Sequence, residues 1–230
     1  MIIYGKNVIK EAVLNKRPIY NMYVDEKLQD TKFLEFLEYH KVSFKKVNKG
    51  ELNNLTDNGV HNGIVAEVKP YQYVELADVL KKDERQVFLM LDEIHDPHNL
   101  GAILRSVEAT NVAGVIVSKK HQVPLTGTVA KTSAGAIEHV KMIQVGNLYQ
   151  AMLNLKDLGF LIVGTAGEAT QTYKQMPKDQ SLVIVMGNEG EGLRPLVKKG
   201  CDLLVSIPMK GKVNSLNVSV ACALMLYETL

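Results

Sequence analysis

The chain has 230 residues, 46% of them apolar, with 27 basic and 25 acidic side chains and a formal charge of +2. That is enough apolar material for a sizeable core, most naturally in two domains of unequal size, and too little net charge to announce a nucleic-acid partner by itself. No run of about 18 apolar residues occurs and the opening MIIYGKNVIKEAV lacks a signal-peptide layout, so the chain is expected to stay off membranes.

Residues 1–70 read as a small α/β unit. Gly5–Leu14 is helical in pattern, Asn21–Val24 a short strand, and Thr31–Tyr39 an amphipathic helix opened by a capping-type threonine. Ser43–Val47 predicts a second strand and Gly63–Val68 a third, preceded by a tight glycine-flanked turn, Gly59–Gly63. His61 in that turn has no acidic or nucleophilic neighbour in sequence, so a structural role competes with that of a catalytic base. Between Pro70 and Arg85 the rhythm is lost and charge accumulates, which predicts a linker over 71–85.

Residues 86–230 alternate strands and helices. Val87–Leu91 is a continuous apolar run, the mark of a strand buried on both faces of a parallel sheet. A helix follows with Leu100, Ile103, Leu104 and Val107 on one face, then a strand at Val115–Val117 and helices at Thr126–Thr132 and Leu148–Leu158. Phe160–Gly164, Leu182–Met186 and Leu203–Ile207 are further strands. Pro208 stops the last of them, and Ser215 or Asn217 caps a final helix that is apolar nearly all round. Such a helix is buried in a core or against another subunit. Alternation of this kind predicts a largely parallel α/β sheet, with ligands bound outside the carboxyl ends of its strands. The loops after Leu91, Met186 and Ile207 are the richest in Gly, Asn, Asp and Glu, and they are the candidate site.

Their chemistry narrows the choice. The loop Gly187-Asn188-Glu189-Gly190-Glu191-Gly192 is not a dinucleotide fingerprint, and its carboxylates would repel a pyrophosphate. Its glycines let backbone approach a ligand closely. Asp92, Glu93, His95, Asp96 and His98 invite a metal but lack a recognised ligand spacing, and Asp96-Pro97 reads equally as a helix start, so no metal is expected. Arg105, on an otherwise apolar helix near the ligand end of the sheet, is either a surface residue or a functional one. Cys201 and Cys222 lie far apart in apolar surroundings, which suits the reducing cytoplasm. Lysine clusters such as Lys45/Lys46/Lys49 and Lys210/Lys212 read first as solvated faces.

In order and spacing, Asn99-x-Gly-x-x-x-Arg105, Met186-Gly-Asn-Glu-Gly-Glu-Gly-Leu193, and Ile207-Pro-Met-x-Gly with Ser215-Leu-Asn-Val-Ser219 resemble the three motifs of the SpoU (TrmH-like) RNA ribose 2′-O-methyltransferases. Lys131-Thr-Ser-Ala-Gly-Ala136 resembles the region after the first motif. The opening Ile3-Tyr-Gly-Lys-Asn-Val and the turn His61-Asn-Gly63 resemble the L30e-like RNA-binding domain of the RlmB-type 23S rRNA guanosine methyltransferases.

The resemblance implies an L30e-like RNA substrate-binding domain over 1–70 and a SPOUT methyltransferase domain over 86–230. The latter would have a parallel sheet, a deep C-terminal trefoil knot and a homodimeric assembly. It implies S-adenosylmethionine as cofactor, held by Thr165, Gly187, Asn188, Gly192, Ile207, Met209, Ser215, Leu216 and Asn217. Arg105, Asn99, Glu189, Ser215 and Asn217 would form the catalytic set. The implied reaction is an in-line displacement in which the ribose 2′-oxygen attacks the sulfonium methyl group. Positioning supplies roughly 7–11 kcal/mol in the best intramolecular cases. Arg105 is the family's favoured base, yet a guanidinium keeps its proton, so orienting the oxygen and stabilising its charge is the physically preferred role, with a substrate phosphate as acceptor. The substrate implied is a guanosine of 23S rRNA, with tRNA as the alternative. A non-catalytic ribosome-assembly factor and a nucleotide-dependent enzyme are the rival classes.

Overall fold

A computed structural model of the chain describes residues 1–188 and 190–230, so Glu189, expected in the catalytic set, lies outside the described residues. Contacts divide the chain into two compact units: Met1–Tyr71 with Pro124–Glu138, and Gln72–Val123 with His139–Leu230.

The first stretch holds β1 (Ile2–Tyr4), α1 (Lys6–Leu14), β2 (Ile19–Asp25), α2 (Thr31–Tyr39), β3 (Lys45–Val47), α3 (Lys49–Leu55) and β4 (Ile64–Val68). The second holds β5 (Val87–Leu91), α4 (Pro97–Ala109) and β6 (Gly114–Ser118), and Pro124–Glu138 carries α5 (Gly127–Thr132). The last holds β7 (Met142–Val145), α6 (Leu148–Asp157), β8 (Leu161–Thr165), β9 (Gln171–Thr172), β10 (Leu182–Met186), α7 (Pro195–Gly200), β11 (Leu203–Ser206) and α8 (Val218–Tyr227).

In the first unit the sheet order is β1-β4-β2-β3, with β4 antiparallel to both its neighbours and β2 parallel to β3. Ile3, Met22, Val24, Phe33, Leu37, Leu52 and the β4 residues Ile64–Ala66 are fully or almost fully buried. The cap of α2 is not Thr31 but Asp30, whose carboxylate accepts the Phe33 N–H at 3.1 Å and the Lys6 ammonium at 2.5 Å. An ionised acceptor makes the stronger cap, and the Lys6 hydrogen bond lowers the Asp30 pKa further. The helix α3 escapes a periodicity reading because it buries only Leu52; Asn48 starts it by accepting the Glu51 N–H at 3.1 Å.

Residues Pro124–Glu138 pack with this unit through a buried ion pair. The Glu138 carboxylate, with no exposed side-chain surface, takes Arg17 Nε at 2.8 and 2.9 Å and the Tyr71 hydroxyl at 2.7 Å. Arg17 also stacks 3.9 Å from the Tyr71 ring centre, and burial beside Glu138 pushes the Tyr71 phenol well above its ordinary range.

The second unit is built on a seven-stranded sheet in the order β7-β6-β5-β10-β8-β11-β9, with every pairing parallel. Alternation along each strand sends Phe88, Met90, Ile116, Val183 and Val185 into one core layer with Met152 and Leu155 of α6 and Val197 of α7. The intervening residues, Leu89, Leu91, Val115, Val117 and Ile184, are fully buried toward α4 and α8, which pack on each other. Asn217 caps α8 by accepting the Ser219 N–H at 2.9 Å. Only part of α8 is covered within the chain: Val218, Cys222, Met225 and Leu226 are buried, whereas Val220, Leu224 and Tyr227 are 49%, 37% and 55% exposed. Among the described residues, no helix is long and apolar enough to cross a membrane.

Candidate active site

A cleft of about 350 Å³ opens at the carboxyl ends of β8, β10 and β11. Its walls come from Thr165–Glu168, from Met186–Asn188 with Gly190–Leu193, and from Ser206, Ile207, Met209 and Asn214–Leu216, with Val218 and Ala221 of α8. Of the residues expected to bind cofactor, Thr165, Gly187, Asn188, Gly192, Ile207, Met209, Ser215 and Leu216 all line it. Asn217 stands beside it as the cap of α8.

The glycine loop is closed on itself. Asn188 and Gly192 exchange both backbone hydrogen bonds, at 3.1 and 3.0 Å, and the Asn188 side chain accepts the Gly190 N–H at 3.0 Å. A Cβ on Gly187 would run into the backbone of Gly192 and Leu193, and Gly192 sits at φ +70°. Only glycine fits at the first position, and the left-handed backbone favours it at the second.

The loop after β5 plays a different part from the one its composition suggests. It contributes no wall to the cleft; it anchors the glycine loop from outside. The Asn188 amide donates to Glu93 O at 3.2 Å. Asp92, whose side chain has no exposed surface, accepts the Arg194 N–H at 3.0 Å and its guanidinium at 2.6 and 2.8 Å, while Glu93 pairs with the same guanidinium at 3.0 Å. The hydrogen bond that Arg194 donates to Asp92 holds the Arg194 pKa above its ordinary value. Asp92 is thus occupied by an ion pair, and Asp96 caps α4 by accepting the His98 N–H at 2.9 Å. Among the described residues no three His, Cys, Asp or Glu side chains gather as metal ligands.

The same loop brings Asn99 to the site. The Asn217 amide donates to Asn99 Oδ1 at 2.9 Å, joining the first and third motifs across 118 residues of sequence. Arg105 lies farther along α4 on its exposed side, with no hydrogen bond or ion pair to a described residue. The structure therefore brings Asn99, Ser215 and Asn217 to one place and leaves Arg105 facing solvent. Sequence reasoning missed Arg194, which sits two residues beyond the glycine loop, and the Glu168–Lys198 ion pair at the rim of the cleft. Lys198 holds the Glu168 carboxyl below its ordinary pKa.

The cleft suits a compact organic ligand of mixed polarity. Its volume lies in the range of small-molecule sites, about 300–1,000 Å³. Met186, Leu193, Ile207 and Leu216 offer apolar contact, the glycines let backbone groups come close, and Glu191 sets negative charge among its walls while Glu168 is paired with Lys198. That donor set fits the adenosyl, amino acid and sulfonium parts of S-adenosylmethionine.

A parallel α/β sheet with such a cleft at its carboxyl edge has the ligand site where sheets of this kind place it. The chain belongs to the SpoU rRNA methylase family, whose model matches residues 86–227, and residues 2–74 match a model described as RNA 2′-O ribose methyltransferase substrate binding. A Staphylococcus aureus (strain COL) protein named for the TrmH family tRNA/rRNA methyltransferases is 42% identical over 99% of this chain and 94% of its own. A Bacillus subtilis (strain 168) relative with the same family name is 39% identical over 98% and 93%. The SpoU methyltransferase AviRb of Streptomyces viridochromogenes, crystallised with the cofactor AdoMet, superposes with a TM-score of 0.82 at 24% identity, covering 100% of this chain and 88% of that one. The A. aeolicus TrmH/SpoU tRNA modifying enzyme is 30% identical with a TM-score of 0.57, covering 66% and 77%. The chain is an RNA methyltransferase of a family that uses S-adenosylmethionine as methyl donor.

Proposed function

We propose that the chain methylates the ribose 2′-hydroxyl of a guanosine in 23S rRNA, acting in the cytoplasm as a homodimer. The observation that carries the reading is the Asn217–Asn99 hydrogen bond, which sets residues of the first and third motifs beside the cleft formed by the second and third. When bound, S-adenosylmethionine supplies an electrophilic methyl group carried on its sulfonium.

The residues of this chain hold and orient. Thr165, Gly187, Asn188, Gly192, Ile207, Met209, Ser215, Leu216 and Asn217 hold the methyl donor. Asn99 and Asn217, already mutually bonded, restrict the rotamers of the amides that face the substrate ribose. Arg105, charged and uncommitted to a described carboxylate, orients the 2′-oxygen and stabilises its developing charge, and a substrate phosphate accepts the proton. Glu189 and Ser215 complete the set. In the same reading the C-terminal segment is threaded as a deep trefoil knot, and the exposed apolar side chains of α8 meet a second copy.

The rRNA preference rests on the first unit, most of which falls within the substrate-binding match at residues 2–74 and which offers a second surface for a large RNA. The relatives named for both tRNA and rRNA keep tRNA as the second reading. Methyl transfer from labelled S-adenosylmethionine to unmethylated 23S rRNA and to total tRNA, followed by mapping of the ribose, tests the choice. Label in a 23S guanosine is expected. Label confined to tRNA overturns the substrate, and no label in either RNA overturns the reaction.

A further inference from the structure

The first unit carries a surface that the chemistry above does not use. It lies where the ends of β1 and β2 meet the start of β4, with the Gly5 N–H donating to Ile64 O at 3.1 Å and the Asp25 N–H to Gly63 O at 2.8 Å. A cleft of about 590 Å³ opens there between the β2–α2 turn, α3 and the turn Gly59–Gly63. Lys27, Gln29, Lys49, Asn53 and Asn62 give it a polar wall, and Val60, 74% exposed, stands at the tip of the turn.

The turn is held in one shape. His61 is buried, its Nδ1 accepts the Gly63 N–H at 3.0 Å, and its Nε2 lies 2.9 Å from Asn53 Oδ1. Accepting at one nitrogen and donating from the other is the pattern of a neutral ring. Burial and the nearby Lys49 and Lys131 also lower its pKa. Asn62 and Gly63 take left-handed backbone, at φ 55° and 79°, which turns the Asn62 side chain toward α5.

From α5 comes Lys131. Its ammonium lies 3.3 Å from Asn62 Oδ1 and against Gly5, where any Cβ would collide with it. Half-buried, it has no carboxylate partner among the described residues, and neither do Lys27 and Lys49. Asp25 is the carboxylate in the cleft wall, and one of its oxygens already accepts the Lys27 backbone N–H at 2.9 Å. A partly desolvated ammonium facing only an amide oxygen gains a charge-assisted hydrogen bond when an anionic oxygen arrives.

We infer that this cleft grips an unpaired segment of the substrate RNA, with Lys27, Lys49 and Lys131 on its phosphates and the Gln29 and Asn62 amides on a base edge. The base is unpaired in this reading because the deep, narrow major groove of an A-form helix is closed to side chains and its shallow minor groove is read mostly by shape, whereas single-stranded bases offer their edges. Lys131 lies in sequence within the methylase match at 86–227, outside the substrate-binding match at 2–74, yet it packs with the first unit. The grip on RNA therefore extends beyond the segment that its family match marks.

The inference rests on the RNA-methyltransferase reading, so its test separates binding from turnover. Full-length protein is titrated without cofactor against a fluorescent 23S rRNA hairpin fragment at several salt concentrations. The variants are Lys131→Ala, Lys49→Glu and the triple Lys27→Ala/Lys49→Ala/Lys131→Ala. Lys41→Ala, on the exposed turn before β3 and outside this cleft, is the control. Each lost lysine is expected to reduce the salt slope of log Kd by about 1. The triple variant should weaken binding on the order of tenfold or more. Where the RNA is methylated, KM should rise with kcat at saturating RNA and cofactor affinity unchanged. A triple variant with wild-type affinity and salt slope overturns the cleft. Wild-type protein that binds but transfers no methyl group overturns the reaction and leaves the cleft to be judged on binding.

Discussion

Asp92 shows how a residue's neighbours in space decide its task. In sequence it stands among carboxylates and histidines that suggest a metal; in the fold its buried carboxylate is claimed by Arg194, 102 residues away. Asp92→Ala removes the bonds to the Arg194 N–H and guanidinium, leaving Glu93 as the remaining anchor of the glycine loop. Hydrogen bonds to charged groups contribute about 1.5–3 kcal/mol, and the 42% exposure of Arg194 allows water to recover part of that. Cofactor affinity measured by calorimetry should fall on the order of tenfold, with the secondary structure unchanged. Arg105 gives the contrasting prediction. Arg105→Ala should lower kcat on the order of 10²–10³, the usual loss for one donor to a developing oxyanion, while cofactor affinity stays at wild type. A variant that binds RNA and cofactor normally and keeps full rate removes Arg105 from the catalytic set. That Arg105 sits on a helix with one apolar face was legible in the sequence, because the period is local. The anchor role of Asp92 was not, because its partner is remote.

At the scale of elements, the glycine loop and the His61 turn are each stiffened by backbone that tolerates little change. Gly187→Ala would force the Asn188–Gly192 bridge apart, and cofactor binding should be lost while β10 remains in the sheet. The His61 turn predicts a pH effect. Its pKa is lower folded than unfolded, so between the two values the unfolded chain binds the additional proton. The stability it contributes is complete above the unfolded value of about 6.5 and is lost as pH falls below it. Calorimetric melting from pH 8 to pH 5 should show a drop that His61→Gln reduces; an identical drop in the variant assigns the effect to other groups. The strands β5 and β10 were legible to the residue because continuous apolar runs bounded by polar loops leave little choice of ends. The short, mostly polar α3 and the two-residue β9 were not, since neither buries enough to leave a period.

Across the whole molecule, α8 carries the clearest prediction. Its apolar residues on all sides predict burial, and within one chain Val220, Leu224 and Tyr227 remain exposed at helical spacing. In the homodimer reading these side chains are the contact. Val220→Asp/Leu224→Asp should shift the sedimentation coefficient from dimer to monomer at micromolar protein and reduce methyl transfer with it. A wild-type protein that sediments as a monomer at the same concentration removes the dimer from the mechanism.

The sequence by itself determined the alternation of strands and helices, the parallel sheet that alternation requires, and the three motifs whose resemblance names the family. These follow from local physics: periodicity, punctuation by Gly and Pro, and side chains whose chemistry needs particular neighbours in sequence. Only the tertiary structure decided that the β5 loop stays out of the cleft at the ends of β8, β10 and β11 and holds the glycine loop from behind. It also decided that Pro124–Glu138, lying between β6 and β7, packs with the first unit through Glu138, Arg17 and Tyr71. A pairing between residues more than a hundred positions apart leaves no periodic trace in the chain, because its energy arises only once both groups have lost their water together.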